Sequence, residues 1–143
     1  TLQALNFKGT ENVLEIGTGS GFQTVLLSSL VKKVTTIEIV PELADKASRL
    51  LKKFKISNVQ ILETDGTKGY KKDSPYDTII INAASETIPQ NLVSQLNEGG
   101  QLVIPEGKNE SQELKIYKKN DDTFIKVTTL AQVKFVPLIS NQN

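Results

Sequence analysis

Residues 12–23 read NVLEIGTGSGFQ, and the order of residue types within them frames the rest of the chain. Asn12-Val13-Leu14-Glu15-Ile16 is a short apolar run with β-branched members, the pattern of a buried strand. It stops at Gly17-Thr18-Gly19-Ser20-Gly21, after which Phe22, Val25, Leu26 and Leu30 recur at helical spacing. Strand, glycine loop and helix form the first half of a βαβ unit. Glycines let the backbone turn tightly and let a ligand approach without meeting a Cβ, and the following helix start offers N–H groups.

The glycine spacing narrows the ligand. A dinucleotide fingerprint is G-x-G-x-x-G, whereas here Phe22 holds the third position and glycine falls one place earlier, at Gly21. This counts against a nicotinamide or flavin enzyme. E-I-G-T-G-S-G instead resembles the first motif of Rossmann-like methyltransferases that use S-adenosylmethionine. That cofactor has no pyrophosphate, so the loop has only to pass close to its methionine portion.

Composition removes several alternatives. The 143 residues include no cysteine and no histidine, which argues against disulfide scaffolds, thiolate or imidazole metal sites and hydrolase triads. No metal site is expected. With 17 basic and 16 acidic residues the net charge is +1, which gives no broad attraction for nucleic acid or an anionic membrane. No apolar run approaches the roughly 18 residues of a membrane span, and the default expectation is a cytoplasmic monomer. The length suits one domain over residues 1–143.

Working outward, Lys33–Glu38 reads as a second strand that ends in an acid. An acid at that strand tip faces the same crevice as the glycine loop and can accept two hydrogen bonds from a ribose diol. Pro41 opens an amphipathic helix with Leu43, Ala44, Ala47, Leu50, Leu51 and Phe54 on its apolar side. Asn58–Glu63 is a third strand, and Asp65-Gly66 after it is turn chemistry that also suits the exocyclic amine of an adenine. Tyr76–Ile81 is the most apolar strand, as expected at the centre of a sheet covered on both faces. It delivers Asn82-Ala83-Ala84-Ser85 to the crevice. Pro89 starts a further helix through Leu92, Val93 and Leu96, for which Gly99-Gly100 supplies a C-cap, and Gln101–Pro105 is the fifth strand. Leu114–Tyr117 and Phe124–Val127 alternate around a turn at Asn120-Asp121-Asp122, and Val133–Leu138 is a last extended piece. The chain opens with the end of an amphipathic helix at Leu2, Leu5 and Phe7. The expected fold is α/β, a doubly wound, mostly parallel sheet closed by an antiparallel hairpin.

Several of these segments occur together in one family. E-I-G-T-G-S-G-F-Q, I-E-I-V-P-E-L-A at Ile37–Ala44, T-D-G-T-K-G at Thr64–Gly69, Y-D-T-I-I-I-N-A-A at Tyr76–Ala84, I-P-Q-N-L at Ile88–Leu92, L-N-E-G-G-Q-L-V-I-P at Leu96–Pro105 and V-K-F-V-P-L at Val133–Leu138 follow in order. The chain thereby resembles the protein-L-isoaspartate O-methyltransferases over nearly its whole length. The resemblance implies protein repair by methyl transfer from S-adenosylmethionine to the free carboxylate of isoaspartyl residues, with S-adenosylhomocysteine as product. It implies that Glu15, Gly17, Thr18, Gly19, Gly21, Gln23, Glu38, Ile39, Asp65, Gly66 and Asn82 bind the cofactor, Glu38 at the ribose and Ile39 with Asp65-Gly66 at the adenine. Ser20, Ala83 and Ala84 would face the acceptor. No catalytic acid or base is assigned, because a carboxylate with a pKa near 4 is already ionised at neutral pH and needs only to be positioned.

The sequence departs from the family pattern in three respects. The family carries an N-terminal region with a Ser/Thr-bearing segment over the isoaspartyl carboxylate, and the present sequence starts beyond it. Asn82 stands where Thr is common, and Thr64 where Gly is usual. Other readings to be weighed are a methyltransferase with another acceptor, such as RNA or a small molecule, and a cofactor-binding domain without turnover.

Overall fold

In the computed structural model the chain is described over residues 2–108, 111–121, 123–133 and 137–138. The elements run β1 (Asn12–Ile16), α1 (Phe22–Leu30), β2 (Lys33–Glu38), α2 (Pro41–Lys53), β3 (Val59–Glu63), β4 (Tyr76–Ile81), α3 (Gln90–Val93), β5 (Leu96–Lys108), β6 (Ser111–Asn120) and β7 (Thr123–Val133). The strands form one seven-stranded sheet in the order β3-β2-β1-β4-β5-β6-β7. β3 through β5 are mutually parallel, and β6 and β7 are antiparallel additions.

This order has a functional consequence. From β1 the chain winds outward through β2 and β3, then returns to the other side of β1 with β4 and β5. The reversal leaves a crevice at the carboxyl ends of β1 and β4, where ligands of open α/β sheets bind. All the expected loops converge there: Gly17–Gly21 after β1, Ile39 after β2, Asp65-Gly66 after β3 and Asn82–Ser85 after β4.

Burial on both sheet faces follows from the period-two alternation of strands. Leu14, Ile16, Ile79 and Ile81 join one cluster with Tyr76, Leu92, Leu102 and Ile104. Val13 and Ile80, which alternate with them onto the other face, join a second cluster with Leu27, Val31, Val34 and Leu5. A run such as Ile79-Ile80-Ile81 therefore needs no polar member, and β4 does lie at the middle of the sheet.

Two expectations are corrected. The helix opened by Pro89 ends at Val93 after four residues, and Gly99-Gly100 lies inside β5 rather than capping a helix. Leu96, read as a helix position, is buried and pairs with Tyr76 as the first residue of the strand. The register then shifts before Thr78 meets Gln101, and Gly99 at φ 78° takes up the extra backbone. Val93 O and Leu96 O are closed by Lys119 Nζ, at 3.0 and 2.9 Å. At the amino terminus, the expected helix end is a single 3-10 turn, Leu2–Leu5. The hairpin strands are longer than their alternation predicts, and Asn120 pairs with Thr123 around the expected turn. Of the extended piece predicted at Val133–Leu138, residues 134–136 lie outside the described residues. Pro137 bridges to Ala84.

Candidate active site

Gly17 sits at φ 92°, and its N–H donates to Ile37 O at 2.8 Å, which fastens the start of the loop to β2. Gly19, at φ 58°, donates its N–H to Glu38 Oε1 at 2.7 Å. The other carboxylate oxygen of Glu38 accepts from Val40 N–H at 3.1 Å. Glu38 is only 6% exposed, so its charge is held by backbone donors at the mouth of the crevice. A Cβ built on Gly19 meets nothing within 4 Å and would project into open space. Gly21, by contrast, serves packing: a Cβ there would lie 3.0 Å from Ala47 Cβ on α2.

The cleft holds about 670 Å³ of empty space, part of it continuous with solvent. Gly17, Gly19 and Glu38 form one wall, and Ile39, Val40 and Leu43 continue it along the start of α2. Gly66 closes the β3 side, Ile16 and Ile37 the floor, and Asn82, Ala83, Pro137 and Leu138 the opposite wall. The wall beyond Glu38 is apolar, suited to a flat heteroaromatic ring with one polar anchor.

Seven predicted residues thus meet at one cleft: Gly17, Gly19, Glu38, Ile39, Gly66, Asn82 and Ala83. The others lie around it. Glu15 is fully buried beneath the loop, where Oε1 accepts from Thr24 Oγ1 (2.5 Å) and Thr36 Oγ1 (2.7 Å). Its Oε2 accepts from Gln23 Nε2 (2.8 Å) and Asn82 Nδ2 (3.2 Å). Burial pushes the Glu15 carboxyl above the usual carboxylate range, and these four donors offset part of that rise. Gln23 also donates to Asn82 Oδ1 at 3.1 Å, Asn82 Nδ2 donates to Gly17 O at 3.1 Å, and Thr18 Oγ1 lies 2.6 Å from Thr36 Oγ1. Glu15, Thr18 and Gln23 therefore support the loop from below, and Asn82 joins that support to the cleft wall.

Asp65 is buried and uses Oδ1 to cap the 3-10 turn Gly66–Lys68, accepting from Thr67 N–H at 2.9 Å and Thr67 Oγ1 at 2.7 Å. The cleft surface at this strand end is Gly66, whose missing side chain makes room for Ile16, since a Cβ there would fall 2.4 Å from Ile16 Cγ2. Ala84 is engaged behind the wall, its carbonyl accepting from Leu138 N–H at 2.9 Å. Ser20 is exposed on the other side of the loop, in a groove shared with Phe22 and α2.

Sequence reasoning missed Ile16, Ile37, Val40, Leu43, Pro137 and Leu138 as cleft residues. Leu43 carries a visible signal, because it is the third residue of a helix that follows a ligand-facing acid and so lies in the first turn at the crevice. Pro137 and Leu138 carry none within one chain, since they arrive by a long-range return past Ala84.

This sheet order, with a glycine loop closing on an acidic strand tip, defines a doubly wound α/β fold of the methyltransferase class. A solved S-adenosylmethionine-dependent methyltransferase from Aquifex aeolicus superposes with a TM-score of 0.60 at 25% identity, covering 75% of this chain and 62% of its own. A sequence model of the protein-L-isoaspartate(D-aspartate) O-methyltransferases matches residues 1–143. The chain belongs to that family. The protein-L-isoaspartate O-methyltransferase of Dictyoglomus turgidum is 49% identical over 137 residues, 95% of this chain and 61% of its own length. That of Aliivibrio fischeri strain MJ11 is 43% identical over 98% of this chain and 66% of its own. The chain thus spans less than two thirds of these relatives. Among solved structures, one protein-L-isoaspartate O-methyltransferase superposes with a TM-score of 0.90 at 26% identity, over 98% of this chain and 45% of that one. A Plasmodium falciparum structure described as such an enzyme in complex with S-adenosyl-L-homocysteine gives 0.73 at 26% identity, over 92% and 66%.

Proposed function

We propose that residues 1–143 act as one S-adenosylmethionine-binding domain whose reaction is methylation of L-isoaspartyl carboxylates in damaged proteins. The observation that carries this reading is the contact between Gly19 N–H and Glu38 at the mouth of the cleft, in a chain matched end to end by the isoaspartate family. Glu38 would hold the ribose diol, each carboxylate oxygen retaining lone-pair capacity beyond its backbone donor. Ile39, Val40 and Leu43 would cover the adenine, with Asp65-Gly66 at its edge. Gly17 and Gly19 would let the loop backbone approach the methionine portion, with Gly21 seating the loop against α2 and Glu15, Thr18 and Gln23 keeping it in shape. The open space beside Gly19 fits such a ligand, because a side chain there would fill the place it needs.

When bound, S-adenosylmethionine supplies an electrophilic methyl group on a sulfonium. The protein has to orient an already ionised acceptor carboxylate in line with it and to exclude water. Ala83, which lines the cleft, is the acceptor-facing candidate, with Ala84 next to it; Ser20 lies on the groove side of the loop and takes no part in this reading. Small side chains there leave room for a peptide. The protein is proposed to work as a cytoplasmic monomer, without nucleic-acid or membrane partners. Among the described residues, no helix is long and apolar enough to cross a membrane.

A second reading is cofactor binding without turnover. It is favoured by the acceptor wall, where Ala83, Pro137 and Leu138 offer no charged group to recognise a carboxylate. One experiment separates the two: radiolabelled methyl transfer to an isoaspartyl peptide and to its aspartyl twin, with a version extended to the relatives' length run in parallel. Transfer to the isoaspartyl peptide alone supports repair. Normal S-adenosylhomocysteine binding with no transfer by either version rejects it.

A further inference from the structure

Outside the cleft, one surface combines features that solvated faces rarely combine. Phe22, Leu26 and Leu30 on α1 are 65%, 58% and 41% exposed, and with Phe54 they are the large hydrophobics that stand out among the described residues. They recur every fourth residue, so they form one row along the helix. Beside Phe22 runs a groove whose other lining residues are Ser20, Lys46, Arg49, Leu50 and Lys53. Lys46, Arg49 and Lys53 follow i, i+3, i+7 spacing and therefore share one face of α2. Arg49 is paired with Asp45 one turn away, with both side chains well exposed, and Lys53 stands 6.0 Å from the ring of Phe54.

We propose that this groove is a docking site for an acidic amphipathic protein segment, bound as a helix lying along α1 and α2. Phe22 and Leu50 are the apolar residues of the groove itself, and Leu26 and Leu30 continue the row from Phe22 along α1 outside it. That i, i+4, i+8 spacing fits a partner whose own apolar residues recur every three or four positions, the helix-in-groove arrangement. Three cations along the facing helix complement carboxylates on that partner's flank and disfavour a second copy of this chain, which would bring the same cations to the contact. Single-stranded nucleic acid is also anionic, but it calls for aromatic platforms and a broad basic field. Here one aromatic faces the groove, the apolar row is otherwise aliphatic, and the whole chain carries +1. The groove shares no lining residue with the Glu38 cleft, so the proposal does not rest on the methyltransferase reading.

The probe is a fluorescein-labelled peptide of about 16 residues, roughly four helical turns, built from Leu and Glu in an amphipathic repeat. Its anisotropy is followed on titration with the wild-type chain, with K46E/K53E and with F22S. The expected result is saturable binding below about 1 mM that weakens as salt rises, with both variants weakening it by roughly tenfold or more. Melting temperature and S-adenosylhomocysteine titration of each variant are read alongside, and both should stay at wild-type values. Binding that ignores K46E/K53E, or no saturation, overturns the proposal. So does tighter binding of an oligo-dT strand than of the peptide, or sedimentation showing that the groove pairs two copies of the chain. None of these results touches the cleft, whose ligand titration is measured separately.

Discussion

The carboxylate of Glu38 accepts one backbone N–H from the glycine loop and one from the start of α2, so it shapes the cleft as well as facing it. Glu38→Ala should weaken S-adenosylhomocysteine binding by about 1.5–3 kcal/mol, the scale of hydrogen bonds to a charged group, as read by calorimetry. Unchanged affinity would remove Glu38 from the site. Glu15 makes a different prediction because all four of its partners donate to it. Glu15→Gln would turn an amide NH₂ toward two of those donors and should cost on the order of 3 kcal/mol in urea unfolding. The wild-type carboxyl is also raised above its ordinary value, so the folded state holds the proton more tightly than the unfolded chain does. Its contribution is therefore greatest below the ordinary carboxylate range and declines as pH rises from there through the raised folded value. The stability gap between wild type and Glu15→Gln should shrink over that window and then level off. A gap that widens with pH would contradict the assignment.

Among the elements, α1 and α2 approach through Gly21, whose φ of 91° and 3.0 Å Cβ distance to Ala47 leave no room for a side chain. Gly21→Ala should cost about 1–3 kcal/mol through overpacking and the left-handed backbone, measured by thermal melting. No loss of stability would mean that the helices separate at little cost. The same elements show what one sequence discloses. β1, its loop, α1, β2 and α2 are legible because local periodicity and caps agree with tertiary burial. The boundary between α3 and β5 is not, because Leu92, Val93 and Leu96 have helical spacing and Gly99-Gly100 reads equally as a cap or a bend within a strand. The pairing of Leu96 with Tyr76 decides between them, and pairing is non-local. The hydroxyls of Thr24 and Thr36 were likewise unreadable as Glu15 partners, since three separate elements bring them together. Asp65 was legible as a turn residue, and its cap on Thr67 is that role. Ser20 sits within the right loop, but a glycine-rich turn gives no periodicity from which to tell its outward direction.

For the whole molecule, strand order converts local motifs into a site: reversal at β1 and β4 collects four strand-end loops at one mouth. The family match extends over all 143 residues, while the chain spans 61–66% of the two relatives' lengths. The cofactor half of the chemistry can therefore be tested on this chain by itself, before any acceptor is supplied. The most direct test is calorimetric titration of S-adenosylhomocysteine into wild type and Gly19→Val, with NADH titrated in parallel. One equivalent should bind wild type, NADH should not, and Gly19→Val should bind neither while remaining folded by circular dichroism, its left-handed backbone costing about 1–2 kcal/mol. Undiminished S-adenosylhomocysteine binding by Gly19→Val, or saturable NADH binding in its place, would contradict the account.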